Sequence, residues 1–113
     1  MDILGRNKLI KLKKKNIGNV LLTKAIDKLI TDLQDAEWVN ISEMLASRLD
    51  ADCVYEGFYF FDIHIHRTLI AVEFDKIGEA TIVWCGSHDE YEIIFKNNKD
   101  TIRKWLKNNE WIN

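Results

Sequence analysis

The spacing of the apolar residues changes near the middle of this 113-residue chain. Before Asp50, apolar side chains recur every three to four residues, as in helices that bury one face. After Asp50, they alternate with polar residues or form short runs bounded by glycine and charged residues, which is typical of strands. The sequence therefore predicts helices in the first half and a sheet in the second, an α+β fold.

Three helices are predicted in the first half. The most regular covers residues 19–35, where apolar positions keep a 3.6-residue period. A basic helix is predicted over residues 6–15, after a short extended segment at residues 2–4, and a shorter helix over residues 41–48. No repeat or flexible linker interrupts the chain, so residues 1–113 are expected to form a single domain.

The second half is expected to form an antiparallel meander. Gly57 supplies the positive φ that a two-residue hairpin loop at Glu56-Gly57 requires. A second connection is predicted at residues 76–79. Four strands follow from these turns, at residues 53–55, 58–66, 68–75 and 80–85.

Two helix starts follow the strands. Ser87 and Glu90 have the spacing of a capping box, which predicts a short helix there. Asp100 is expected to open a final helix that includes Trp105 and Leu106. The order of helices, strands and helices predicts a sheet with helices on one face.

Charge is unevenly distributed along the chain. The net charge is −2, yet residues 1–24 contain seven lysines and arginines and one acidic residue. A polarised chain of this kind often binds a polyanion with its basic end, whereas the simpler interpretation is a solvated helix face. The candidate binding residues on the first helix are Arg6, Lys8, Lys11, Lys13, Lys14 and Lys15.

Composition excludes several classes of protein. Two cysteines are too few for a disulfide scaffold, which favours a cytoplasmic protein. No apolar run is long enough to span a membrane, and no secretory signal is evident.

Asp62, His64 and His66 alternate within a predicted strand and would share one face. Carboxylate and imidazole groups suit zinc or iron, so a metal site is one interpretation. The spacing matches no recognised zinc pattern, however, and two ordinary histidines at a half-exposed strand end explain it as well. We therefore expect no metal.

The segment at residues 86–91, GSHDEY, concentrates reactive groups where a strand passes into a helix. Backbone N–H groups at a helix start favour anions. His88 can carry a proton near neutral pH, and Tyr91 lies one turn further along the helix. Arg67 could add a permanent positive charge for a phosphate. The alternative is a helix cap with a surface histidine and a core-edge tyrosine.

These residues also carry a resemblance to a known family. Residues 67–74, RTLIAVEF, and the GSHDEY segment resemble a strand and a following Gly-Thr-His-x-Glu-Tyr motif of HigB toxins from bacterial toxin–antitoxin systems. Further similar segments lie, in the same order as in the family, at residues 1–9, 36–38, 43–45 and 50–54. The resemblance extends to about Lys96.

The resemblance implies a RelE-like fold. Such a fold has N-terminal helices on one face of a mostly antiparallel sheet of four to five strands, followed by a C-terminal helix. It also implies a ribosome-dependent mRNA endoribonuclease without a cofactor, silenced by a HigA-type antitoxin. In the implied reaction a ribose 2′-oxygen attacks the adjacent phosphate. His88 and Tyr91 would be the acid and base, Arg67 would stabilise the phosphate, and the basic helix would bind RNA backbone.

A second hypothesis is a RelE-like module that binds RNA or a protein partner without cutting. The slightly acidic chain, with a pI of about 5.9, favours it, because ribosome-dependent nucleases are usually basic. Fragmentation of mRNA on expression would separate this module from the enzyme.

Overall fold

The computed structural model describes residues 1–75 and 77–113. Within them it has five helices and one five-stranded sheet, which confirms the α+β class. The elements in chain order are β1 (Asp2–Leu4), α1 (Arg6–Lys15), α2 (Val20–Asp35), α3 (Ile41–Ser47), β2 (Asp52–Tyr55), β3 (Phe58–Ile63), β4 (His66–Glu73), β5 (Glu79–Ser87), α4 (His88–Phe95) and α5 (Lys99–Asn108). None of the described helices is both long and apolar enough to cross a membrane.

The sheet has the strand order β1-β5-β4-β3-β2. Strands β2 to β5 pair antiparallel with their sequence neighbours, which confirms the predicted meander. The extended segment at the N-terminus adds a fifth strand, because β1 pairs in parallel with the start of β5. A parallel pair needs a long crossover, and here helices α1 to α3 and strands β2 to β4 lie between the two strands in sequence.

Helices cover both faces of the sheet, so the prediction of helices on one face is wrong. Helices α1 to α3 pack on one face, against Phe61 and Ile70 among others. Helices α4 and α5 pack on the other face, against Phe60 and Leu69. Consecutive residues of the central strands are buried on opposite sides, so each face needs its own cover. The N-terminal helices do share one face, as predicted.

The hairpin between β3 and β4 lies inside a segment that we predicted as one continuous strand. The chain turns at His64 and Ile65, with His64 at a φ of 60°, so the strand predicted over residues 58–66 is wrong in its last part. Hairpin tips usually carry glycine or asparagine, and neither is present here. Histidine is one of the few other residues that adopt this conformation with some frequency.

Other local predictions are confirmed. The tip at Glu56-Gly57 turns as expected, with Gly57 at a φ of 81°. The capping box of Ser87 and Glu90 is formed at the start of α4. Of the connection predicted at residues 76–79, Lys76 lies outside the described residues, and β5 begins at Glu79.

A cluster of charged side chains around Arg48 joins the helical layer to the sheet. Arg48 is only 10% exposed and contacts Asp32 of α2 at 3.0 Å and Asp50 at 2.7 Å. Asp50 also accepts a hydrogen bond from the backbone N–H of Asp62 on β3. Burial by itself would raise the pKa of Asp32, but hydrogen bonds from Lys28 and Arg48 outweigh it and lower that pKa.

Arg48→Met should destabilise the fold by about 2 kcal/mol, because it leaves two half-buried carboxylates without their shared cation. Lys28→Met removes the exposed cation from the same Asp32 and should cost under about 0.5 kcal/mol. A carboxyl with a lowered pKa stabilises the fold above its ordinary pKa of 3.8 and loses that contribution as pH falls through the lowered value. Urea unfolding at pH 7 and at pH 3 should therefore show a smaller loss on acidification for Arg48→Met than for the wild type. Equal losses would contradict this account.

Candidate functional site

A groove of about 470 Å³ lies at the end of the sheet, beside the β3–β4 hairpin tip. It is lined by Asp62, His64, Ile65, His66, Arg67 and His88. A second depression, of about 500 Å³, lies near Met1 and has Asp2 and Arg6 as its ionisable side chains. The two volumes are similar and do not indicate which depression is functional. All three histidines of the chain, however, border the first one. The first groove is therefore the better candidate for proton-transfer chemistry.

The junction of β5 and α4 holds His88 at this groove. The Ser87 hydroxyl accepts from the backbone N–H of Glu90 at 3.1 Å, and the Glu90 carboxylate accepts from the backbone N–H of Ser87 at 2.9 Å. The latter bond is the main reason that the pKa of Glu90 is lowered. The backbone N–H of His88 donates to the carbonyl of Ile65 at 3.1 Å. The helix start and the hairpin tip are thereby fixed to each other.

The His88 side chain is exposed and directed at the groove. Its ring stacks on Tyr91 at 5.9 Å between centroids, with 23° between the planes. Its Nε2 lies 3.3 Å from the carboxylate of Glu92, and 59% of the side chain remains exposed. An imidazole so placed can exchange a proton with a bound ligand while Glu92 and Tyr91 limit its rotation.

Arg67 presents a fixed positive charge to the same groove. Its Nε donates to Asp62 at 3.1 Å, across the hairpin. Its guanidinium lies over the rings of Phe60, at 5.0 Å, and Tyr91, at 4.6 Å. Only 16% of the side chain is exposed. These contacts hold a planar donor group in one orientation, which suits recognition of a phosphate.

Tyr91 is buried rather than open to the groove. It is 2% exposed, and its hydroxyl donates to Asn97 at 2.9 Å. Burial raises the pKa of Tyr91, and the neighbouring Arg67 only partly opposes this. The structure thus brings Arg67 and His88 to one groove and places the Tyr91 ring against both of them. This geometry suits Tyr91 as their support better than as a proton donor.

Tyr91→Phe should leave the rate of a reaction in this groove close to wild type and cost about 1 kcal/mol of stability, because only the hydrogen bond to Asn97 is lost. Tyr91→Ala removes the ring on which Arg67 and His88 rest, and should cost about 3–5 kcal/mol and most of that rate. Thermal unfolding and an assay of that reaction measure the two effects. A loss of about 10²-fold in Tyr91→Phe would instead place the hydroxyl in the reaction.

The structure does not place the three residues considered as metal ligands on one face of the sheet. Asp62 pairs with Arg67 and His66 pairs with Ile63, so Asp62 and His66 lie on opposite sheet faces, with His64 at the tip between them. The prediction that all three share one face is wrong, because the chain reverses at His64. In residues 1–75 and 77–113, no three His, Cys, Asp or Glu side chains are grouped as metal ligands.

Sequence reasoning missed the partnership of Asp62 with Arg67. Residues directly opposite each other across a hairpin contact one another, so recognition of the turn would have predicted this ion pair. Without a glycine or asparagine at the tip, the turn left no clear signal. His66 was considered only as a metal ligand, yet it lines the groove with Arg67 and His88.

The six basic residues of α1 have different surroundings. Lys8 donates to the carbonyls of Ile82 and Val83 at 3.2 and 3.3 Å, next to the irregularity where β5 pairs with β4. Lys13 forms an ion pair with Asp27 at 2.7 Å. These two lysines hold α1 against the sheet and α2. Arg6 borders the depression near Met1, away from the histidines.

Lys11, Lys14 and Lys15 are exposed and form no ion pair within the described part of the chain. Lys11 and Lys15 line a small groove of about 130 Å³ together with Lys8, Leu12 and Cys85. The positive charge of Lys15 contributes to the lowered pKa of Glu90, which places this basic groove near the start of α4. Both cysteines are free, and burial raises the pKa of Cys85 to about 11.

Comparison with known proteins identifies the family of the chain. The profile of the HigB toxin family, described as the RelE-like toxic component of a toxin–antitoxin system, matches residues 22–94. The match includes Arg67, His88 and Tyr91 but not α1. A comparison with curated proteins gave no match. Because the matched segment covers well over half of the chain, the protein belongs to the HigB toxin family of RelE-like toxins.

Proposed function

We propose that this toxin is a ribosome-dependent endoribonuclease that cuts mRNA in the bacterial cytoplasm and is neutralised by a HigA-type antitoxin. Family membership supports the assignment as a toxin, and the family's description as part of a toxin–antitoxin system implies an antitoxin partner. The observation that supports the proposed reaction is that Arg67 and His88 border one groove. It offers a fixed cation and an exposed proton carrier within one space.

In the proposed reaction, a ribose 2′-oxygen attacks the adjacent phosphorus atom and the 5′-oxygen leaves, which forms a 2′,3′-cyclic phosphate. The attack needs a base for the 2′-hydroxyl proton, and departure needs an acid for the 5′-oxygen. In this scheme His88 accepts the proton of the 2′-hydroxyl and then donates it to the leaving 5′-oxygen. Arg67 stabilises the extra negative charge on the phosphorane, where fixed donors act most strongly. Tyr91 orients both side chains through its ring.

A RelE-like module that binds without cutting is the second candidate. The burial of the Tyr91 hydroxyl favours it, since the group predicted as the partner of His88 in proton transfer does not face the groove. Induced expression in a bacterium separates the two. Growth arrest with fragmented mRNA supports the enzyme, and arrest with intact mRNA supports the module.

Purification of the toxin from its native host tests whether it has an antitoxin partner. A small protein of fixed stoichiometry that restores growth when co-expressed with the toxin would be the antitoxin. Purification of the active toxin alone, at native expression, would contradict this part of the proposal.

The exposed lysines of α1 are proposed to bind RNA backbone. The triple change Lys11→Gln, Lys14→Gln and Lys15→Gln should leave stability nearly unchanged and weaken binding to ribosomes that carry mRNA. The slope of log affinity against log salt is negative, and each lost phosphate contact should make it shallower by about 0.7, the value for single strands.

The matched control changes Lys99, Lys104 and Lys107 to Gln. These lysines are also exposed, but lie on α5, so the control alters net charge equally. Binding measured between about 50 and 200 mM salt compares the two triple variants. Equal slopes would show that the lysines of α1 form only a solvated face.

A further inference from the structure

His66 is a buried polar residue whose hydrogen bonding is incomplete. Thr68, which is also buried, donates its hydroxyl proton to the carbonyl of Trp84 at 2.8 Å. His66 is 8% exposed, and its Nδ1 is buried without a partner among the described residues. Buried polar atoms are nearly always paired, so an unpaired one calls for an explanation.

The position of His66 places it at the groove. It is the first residue of β4 and pairs with Ile63 on one side and Ser87 on the other. It therefore lies between the hairpin tip and the cap of α4. Its register puts it on the sheet face opposite to Arg67, and both side chains line the groove at the sheet end. The accessible part of the imidazole therefore opens on the space that Arg67 and His88 border.

The unpaired Nδ1 determines the protonation state of His66. An imidazolium would need an acceptor for a proton on Nδ1, and a buried N–H without an acceptor is costly. Burial lowers the pKa of His66, His64 lowers it further, and the carboxylate of Glu90 only partly opposes this. Asp62, Arg67 and His88 are the other ionisable groups of the groove. The favoured state is neutral, with the single proton on Nε2.

We propose that neutral His66 donates a hydrogen bond from Nε2 to a phosphate oxygen of the RNA in this groove. It is then a further substrate-binding residue, distinct from His88, which transfers the proton. This inference rests on the proposed function in one respect, namely that the groove holds RNA. It accounts for a histidine that is buried on one side and open to the groove on the other.

The first test compares His66→Phe, which fills the space without a donor, with His66→Gln, which keeps an amide donor near the Nε2 position. The toxin should bind ribosomes that carry an mRNA with 2′-O-methyl groups at the cleavage site, and this mRNA cannot be cut because the attacking 2′-hydroxyl is blocked. A hydrogen bond to a charged group is worth about 1.5–3 kcal/mol, so His66→Phe should weaken binding about 10- to 100-fold. His66→Gln should recover most of that loss.

Tyr59→Phe is the matched control, because it changes a buried ring on the face that α1 to α3 cover, away from the groove. Circular dichroism verifies that each variant is folded. If His66→Phe binds as well as the wild type, the proposal is overturned. If the wild type binds this complex but leaves unmodified mRNA intact, the endoribonuclease proposal fails while the affinities still decide the role of His66. No binding by the wild type would overturn both.

The second test distinguishes a neutral donor from a proton carrier. Nitrogen-15 spectra of the free protein should show His66 with its proton on Nε2 at pH 7. The pH dependence of cleavage should keep its shape in His66→Gln, because a residue that stays neutral adds no titration to it. A proton on Nδ1, or the loss of one titration step in His66→Gln, would overturn the proposal and make His66 a general base or acid.

Discussion

Replacement of His88 by alanine is expected to abolish toxicity and leave the fold intact. Loss of a general acid or base typically lowers a rate by about 10²–10⁴. The side chain is 59% exposed, so its removal costs little packing. Growth after induced expression, mRNA cleavage on purified ribosomes and urea unfolding measure the three parts of this prediction.

Two further variants control the His88 experiment. Ile93→Ala changes another residue of α4, which is 74% exposed and does not line the groove, and should remain toxic. His88→Gln keeps a polar side chain but cannot carry a proton, and should be as inactive as His88→Ala. Full toxicity of both His88 variants at matched expression would show that the segment is only a helix cap.

Loss of Arg67 is expected to have an effect of similar size. Arg67→Met removes the fixed cation of the groove, and removal of one group that stabilises a developing anion costs about 10²–10³ in rate. It also leaves Asp62 without its partner and removes the contact with Phe60 and Tyr91, so a stability loss of about 1–2 kcal/mol should accompany it. Single-turnover cleavage at saturating toxin separates the rate effect from weaker binding.

Arg67→Lys tests whether charge alone suffices. Lysine keeps the positive charge but not the planar group that stacks on Tyr91 and can bind a phosphate through two parallel bonds, so recovery should be partial. Arg103→Met, on the exposed side of α5, should match the wild type. A fully active Arg67→Met would remove Arg67 from the site and leave it as a structural partner of Asp62.

The helices of this protein were predictable because their signals are local. The bounds of α1 were predicted as observed, and those of α2 and α3 to within one residue. The cap at Ser87 could also be recognised, since it depends on Glu90 three residues away. Such patterns involve side chains within one helical turn, which a sequence displays directly.

The candidate site was predictable in part for the same reason. Arg67 and His88 were singled out by residue type and by their places near strand and helix ends, and both line the groove. Tyr91 was singled out too, but helical spacing gives only the side of the helix, and the packing of α4 and α5 determines that this side is buried.

The sequence by itself determined the helices, the antiparallel meander and the segments that carry the reactive groups. The tertiary structure decided the turn at His64, the packing of helices on both sheet faces and the partners of individual side chains. Lys8 contacts Ile82 across 74 residues, and His66 is buried between elements that meet only in the fold. Contacts of this range depend on which elements pack together, and no local pattern of residues encodes them.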